Sequence, residues 1–330
     1  MRRKTNEDGV AHLLAVVLVL AVLGVAGFAG YKVMQSARDK GTGANNTATT
    51  SETEEAKTWV EGEMAVEGKY ADADVVQIED GKWRLYYAIQ PEVPNNNHEV
   101  YSATSTDGKT WTQESGTRKT MATFPEVVKL ADGRYRMYYQ NSAVIKSAIS
   151  SDGLSFTDEA GTRVGTDNSE GLTLDNTAAP AVSLQADGTY VMLYRGSINE
   201  RYASNTPNPS TNLYLWATST DGLTFTQKGI AIDSRDETLN GQLDGADLVK
   251  MNDGKYYVFA TTYTGVYQFS FDGTTFGDPV LALAGEAKKQ GNNFTGAPPG
   301  DPTLAEINGT WYMYYGATGT SSGIHYATLQ

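Results

Sequence analysis

Five short phrases of the 330-residue sequence gather carboxylates at similar places: Ala71-Asp-Ala-Asp-Val75, Thr123-Phe-Pro-Glu-Val127, Ala178-Ala-Pro-Ala-Val182, Asp244-Gly-Ala-Asp-Leu248 and Gly300-Asp-Pro-Thr-Leu304. Four of the five hold Asp or Glu, so a fold that brings them together must raise the pKa of at least one by mutual repulsion. A protonated carboxyl can donate to a leaving oxygen while an ionised neighbour acts on water or on an anomeric carbon, which is the chemistry of glycosidic hydrolysis. A plainer use exists for each residue taken singly: a carboxylate at a strand start caps a turn, binds backbone N–H groups or holds a structural cation such as Ca2+. Capping alone gives no reason to concentrate them at equivalent positions.

The elements around these phrases repeat. Each phrase runs into an apolar strand, an Asp-Gly or Asn-Gly turn and an aromatic strand, as in Asp74-Val-Val-Gln-Ile-Glu-Asp-Gly-Lys-Trp-Arg-Leu-Tyr-Tyr87 and Glu126-Val-Val-Lys-Leu-Ala-Asp-Gly-Arg-Tyr-Arg-Met-Tyr-Tyr139. Copies starting at Ala181, Asp247 and Thr303 follow the same plan. Such turns make tight hairpins because Asp, Asn and Gly tolerate positive φ. In the first four repeats a second phrase follows: Ser105-Thr-Asp-Gly-Lys-Thr-Trp111, Ser150-Ser-Asp-Gly-Leu-Ser-Phe156, Ser219-Thr-Asp-Gly-Leu-Thr-Phe225 and Ser270-Phe-Asp-Gly-Thr-Thr-Phe276. It joins a third strand to a fourth, with its aromatic residue placed to plug the blade edge.

Four strands per repeat, at a period of roughly 50 residues, predict an all-β, five-bladed β-propeller whose first strands line the axis. The fifth repeat stops after its third strand, Ile324–Leu329, and the N-terminal Lys57-Thr-Trp-Val60 copies the Lys109-Thr-Trp-Thr112 ending of blade one. That N-terminal strand is expected to complete the last blade by pairing near Tyr326, which hides a sheet edge.

Over roughly residues 57 to 330 these phrases resemble the five-bladed superfamily of glycoside hydrolase family 43 arabinanases and xylosidases, with the related invertases and levanases. Blades there open with an Asp-Pro-x-Val-like phrase and continue through Asp-Gly-Lys-Tyr-Tyr-Leu-Tyr-Tyr, as residues 72 to 87 and 301 to 315 broadly do here. The resemblance implies a catalytic base at Asp72, with Asp74 the neighbouring candidate, and a general acid in the opening of blade four, where Asp244 and Asp247 stand in place of the family's Glu. The third carboxylate, which orients the acid and raises its pKa, would open blade three. This chain has Ala179 there; the nearest carboxylate is Asp175, and Glu126 and Asp301 are the residues that could compensate. The implied chemistry requires no cofactor. Some members place a histidine near a central cation, and His325 stands at that place.

Other residue types narrow the reading. Arg195, like Arg84, Arg136 and Arg201, could meet an anionic sugar or simply lie on a strand face. Trp83, Tyr86, Tyr138, Tyr194 and Tyr314 are expected to pack between blades rather than stack on sugars. A net charge of -13 leaves no basic stripe for nucleic acid. The absence of cysteine excludes disulfides, thiolate metal sites and a cysteine nucleophile.

At the N-terminus, Arg2, Arg3 and Lys4 precede an apolar run from Val10 to Met34, long enough to span a bilayer with the basic flank inside. Residues 1–35 are therefore expected to form a single transmembrane helix, a cleaved signal peptide being the alternative. Residues 36–56 read as a flexible linker, and 57–330 as the propeller, held outside the membrane. The leading expectation is a membrane-anchored, extracytoplasmic glycoside hydrolase-like protein acting on glycans of the arabinose, xylose or fructose type. The alternative is a non-catalytic glycan-binding or surface-interaction propeller that keeps the ring of carboxylates without the acid.

Overall fold

The computed structural model describes residues 57–330 apart from 205, 207–208, 286–287, 291–292, 296–298 and 318–321. The expected anchor (1–35) and linker (36–56) lie outside the described residues, among which no helix is long and apolar enough to cross a membrane.

Strand β1 spans Trp59–Glu67. Blade one is β2 (Tyr70–Glu79), β3 (Lys82–Ile89), β4 (Val100–Ser105) and β5 (Thr112–Gln113); blade two is β6 (Thr123–Lys129), β7 (Tyr135–Asn141), β8 (Val144–Ser150) and β9 (Thr157–Asp158). Blade three is β10 (Leu174–Leu184), β11 (Tyr190–Ile198), β12 (Thr211–Ser219) and β13 (Thr226–Ile232); blade four is β14 (Asp244–Lys250), β15 (Tyr256–Thr262), β16 (Gly265–Phe271) and β17 (Val280–Ala284). After a small hairpin of β18 (Lys288–Gln290) and β19 (Asn293–Thr295), blade five is β20 (Gly300–Ile307), β21 (Thr310–Ala317) and β22 (Gly323–Leu329), with β1 as its fourth strand. The five-bladed propeller expected from the repeats is therefore present, and its ring closes where the copied Lys-Thr-Trp phrase places it: Trp59 lies opposite Leu329 and Glu61 opposite Ala327.

Packing follows the ring. Each of five hydrophobic clusters bridges two neighbouring blades, as where Leu85 and Tyr87 of blade one meet Ile307, Tyr312 and Tyr314 of blade five. The second-strand tyrosines are buried in these junctions, with Tyr86, Tyr138 and Tyr314 fully covered. Burial of such rings is what binds blade to blade in a chain without disulfides.

The Ser-x-Asp-Gly turns work between blades rather than at the edge of their own. Within the first turn, the Asp107 carboxylate accepts the N–H groups of Lys109 and Thr110 at 2.8 and 2.7 Å, and these bonds pull its pKa down to about 2. That leaves the Gly108 carbonyl facing blade five, where the Tyr314 hydroxyl donates to it at 2.7 Å and Trp111 packs edge-on to the Tyr314 ring. Tyr86 binds Gly153 O and Tyr138 binds Gly222 O in the same way, while Arg84 and Arg136 donate to the carbonyls of Asp152 and Asp221. Arg84 and Arg136 also pair with Glu114 and Glu159, which accounts for them as structural groups.

Candidate functional site

Every first strand breaks register at its opening phrase. The breaks fall between Ala71 and Asp74, Thr123 and Glu126, Ala178 and Ala181, Asp244 and Ala246, and Gly300 and Thr303. Asp72, Phe124, Ala179 and Asp301 occupy the second position of their phrases with φ of 53°, 48°, 43° and 53°. A side chain in that region costs about 1–2 kcal/mol per residue, so four non-glycine residues there are held by their surroundings. A bulge re-aims side chains. Here it sorts the opening residues into two levels along the axis.

The deeper level is built from the fourth position of each phrase. Asp74 accepts the Val127 N–H at 2.8 Å, Glu126 the Val182 N–H at 2.9 Å, Asp247 the Leu304 N–H at 2.7 Å, and the Thr303 hydroxyl the Val75 N–H at 3.1 Å. Four of the five blades thus tie their own first strand to that of the next, while blade three has Ala181 at this position. Burial raises all three carboxyls, Asp247 to about 6 and Asp74 and Glu126 well above their usual range, with the charges of the others adding to the effect at Asp74 and Glu126. Asp74 and Asp247, expected as catalytic alternatives, therefore sit as backbone-binding struts.

The outer level is different. Asp72, Gly245 and Asp301 line a cavity of about 20 Å³ together with Phe124 and Ala179, room for one water. Asp72 accepts the Phe124 N–H at 3.2 Å and lies close enough to Asp301 for each carboxyl to perturb the other. Burial, offset in part by the Phe124 N–H, holds Asp72 at about 6; burial and then the charges of Asp72 and Asp244 push Asp301 well above the carboxylate range. The Asp301 N–H is anchored at 2.8 Å on the hydroxyl of Thr261.

Beside that pair, Arg195 of β11 reaches across from blade three and forms an ion pair with Asp244 of blade four. The guanidinium lies 5.4 Å from the Phe124 ring centroid, and its Nε has no hydrogen-bond partner. Tyr214, fully buried on β12, also keeps its hydroxyl without a partner and feels the charges of Asp244 and Arg195. Gly245 permits the assembly, because a Cβ there would collide with Asp301 Oδ1. The structure thus brings Asp72, Asp244, Asp301 and Arg195 together and leaves Asp175 exposed on β10, lining neither axial cavity.

Phe124, Tyr214, Gly245 and Thr261 were not marked by their sequence context. Gly245 carried the one usable signal, a glycine where the other openings have a side chain. His325 stacks on Tyr315 at 6.1 Å, and among the described residues no group of three or more His, Asp or Glu is arranged to hold a metal.

No family model and no curated protein matches the sequence. Solved structures do. A β-xylosidase is 14% identical at a TM-score of 0.56, over 83% of this chain and 94% of its own. An α-L-arabinofuranosidase from Clostridium thermocellum is 19% identical at 0.51, over 74% and 82%. A structure reported for family 130 glycoside hydrolases that target β-1,2 mannosidic linkages in Candida mannan is 17% identical at 0.55, over 82% and 85%. With its five blades, its strand-completed ring and these neighbours, the chain has the propeller fold of family 43 and related glycoside hydrolases.

Proposed function

We propose that the outer axial level is a glycoside-hydrolysing centre, carried by an exported, membrane-anchored chain, with neutral glycans of the arabinose, xylose or mannose type as substrates. One observation carries the reading: three carboxyls from three blades meet with unequal surroundings, two buried beside each other and one ion-paired to Arg195. Groups whose environments separate their protonation states are what acid and base assignments rest on.

In this reading Asp301 is the general acid and gives its proton to the glycosidic oxygen as the bond to the anomeric carbon breaks. Asp244 is the base: it takes a proton from the water whose oxygen bonds to that carbon. The charge of Asp72, added to burial, keeps Asp301 protonated, and Arg195 orients Asp244. The roles differ from those the resemblance implies, where Asp72 would be the base and Asp244 the acid. Asp244 is held in an ion pair with Arg195, whereas Asp301 has a raised pKa, as has its neighbour Asp72.

A second reading rests on the size of the mouth. A cavity of about 20 Å³ admits water and no sugar ring, which suits a propeller that binds glycans elsewhere and has no turnover at its axis. The full chain tested against aryl arabinofuranosides, xylosides and mannosides separates the two. Hydrolysis abolished by Asp301→Asn supports the first reading, and hydrolysis that survives Asp301→Asn and Asp244→Ala together sinks it. Oligosaccharide binding without any turnover supports the second.

A further inference from the structure

The three hydrogen-bonded junctions each seat a Ser-x-Asp-Gly turn in a socket on the blade before it. On blade five the socket is Ile307, Asn308, Tyr312 and Tyr314: Asn308 donates to Thr106 O at 3.0 Å, Tyr312 to Asp107 O at 3.2 Å and Tyr314 to Gly108 O at 2.7 Å. The matching residues of blade four are Met251, Asn252, Tyr257 and Phe259. Blade five, whose fourth strand is β1, brings no such turn among the described residues. Trp59 alone takes the place of the turn's aromatic residue, edge-on to Phe259 at 5.9 Å.

What remains of the socket is a groove of about 420 Å³ on the side wall, remote in the fold from the axial carboxylates, none of which lines it. Asn252 and Tyr257, having no turn to hold, donate instead to Glu306 and Asp253. Trp311 and Gln268 also belong to the lining. Trp311, 8% exposed, keeps its buried indole N–H without an acceptor, and Gln268, paired through its backbone with β15 and β17, is half-buried at the lining. The rim adds Val280 and Leu281, which are 61% and 49% exposed.

We infer that this groove binds a neutral oligosaccharide, with sugar rings against Trp59 and Tyr257 and hydroxyls meeting the Gln268 amide. The volume lies within the range of roughly 300–1,000 Å³ common for small-ligand sites. A sugar offers what the lining lacks: flat C–H faces for aromatic rings, and hydroxyls that accept and donate. The single charges of Lys57 and Asp253 oppose one another at the groove, which gives no preference for an ionic ligand. The ligand class rests on the glycan reading above; the site itself does not depend on turnover.

The test uses the full chain carrying Asp301→Asn, so that no sugar is consumed, titrated with xylohexaose, arabinohexaose and mannohexaose by calorimetry and tryptophan fluorescence. At least one sugar is expected to bind, with Kd weakened fivefold or more by Gln268→Ala and by Tyr257→Ala. In chains that keep Asp301, the same two substitutions should leave release of nitrophenol from aryl glycosides unchanged. Binding equally strong in both variants overturns the proposal. So does the absence of binding to all three sugars; if Gln268→Ala then shifts the melting temperature, the socket is filled from within the chain. A chain that hydrolyses nothing yet binds in a Gln268-dependent way upholds the groove and removes only the hydrolase reading.

Discussion

Two levels of one axis, two or three residues apart in sequence, use the same side chains for opposite ends. Asp74, Glu126 and Asp247 each spend an oxygen on a backbone N–H of the next blade, so their geometry is set by the ring. Asp72 does the same with the Phe124 N–H, but it also meets Asp244, Asp301 and Arg195, and Asp244 is ion-paired. A carboxylate ring is therefore not one thing: the outer carboxyls include a cation among their neighbours, while each of the deeper ones is tied to the backbone of the next blade.

The comparison can be broken most severely at Asp301. Asp301→Asn is expected to lower kcat by roughly 10²–10⁴-fold, the contribution of a general acid, with the melting temperature little changed. A variant with full activity, or one that fails to fold, would place Asp301 with the deeper level. Asp74→Ala should do the reverse, because it leaves the Val127 N–H buried without an acceptor; a loss of about 1–3 kcal/mol in denaturant unfolding is expected. Asp74→Asn, which keeps an acceptor oxygen, should recover most of it.

Acidity sharpens the contrast further. Asp247 holds its proton to about pH 6 in the folded chain against an ordinary 3.8, so the folded state binds more protons between those values. Its contribution to stability is complete below about 3.8 and is lost as pH rises through 6. Melting temperature is thus expected to fall from pH 4 to pH 7, and Asp247→Asn should flatten that slope; an unchanged slope would mean that Asp247 titrates freely. The smallest effect belongs to Asp175→Ala, expected to move stability by less than about 0.5 kcal/mol and activity not at all.

Blade number, strand order and ring closure were legible because each is written by a repeated local pattern. Alternating apolar residues around Asp-Gly turns specify hairpins, and the copied Lys-Thr-Trp phrase identifies β1 as the partner of β22. The outer site was legible only as a set. Asp72, Asp244, Asp301 and Arg195 stood among the candidates, but so did Asp74, Asp247 and Glu126, and composition cannot say which side of a bulge a carboxylate will face. Asp175 was chosen for nearness in sequence to Ala179, and the strand carries it out to solvent. Tyr214 had no signal at all, being one more aromatic in a strand of aromatics. Its importance comes from Asp244, which arrives from blade four, and from Arg195, its cross-strand partner on β11.

The closing strand also sets the timing of folding. Tyr315 and Glu61, which share a hydrogen bond across blade five, are 254 residues apart in the chain. During synthesis β1 must wait until four blades and most of a fifth have been made, with its own edge unpaired throughout. Pairs so distant in sequence close late and slowly. A ribosome-bound chain should therefore stay protease-sensitive at both β1 and β20 until β22 emerges, and then become resistant in a single step.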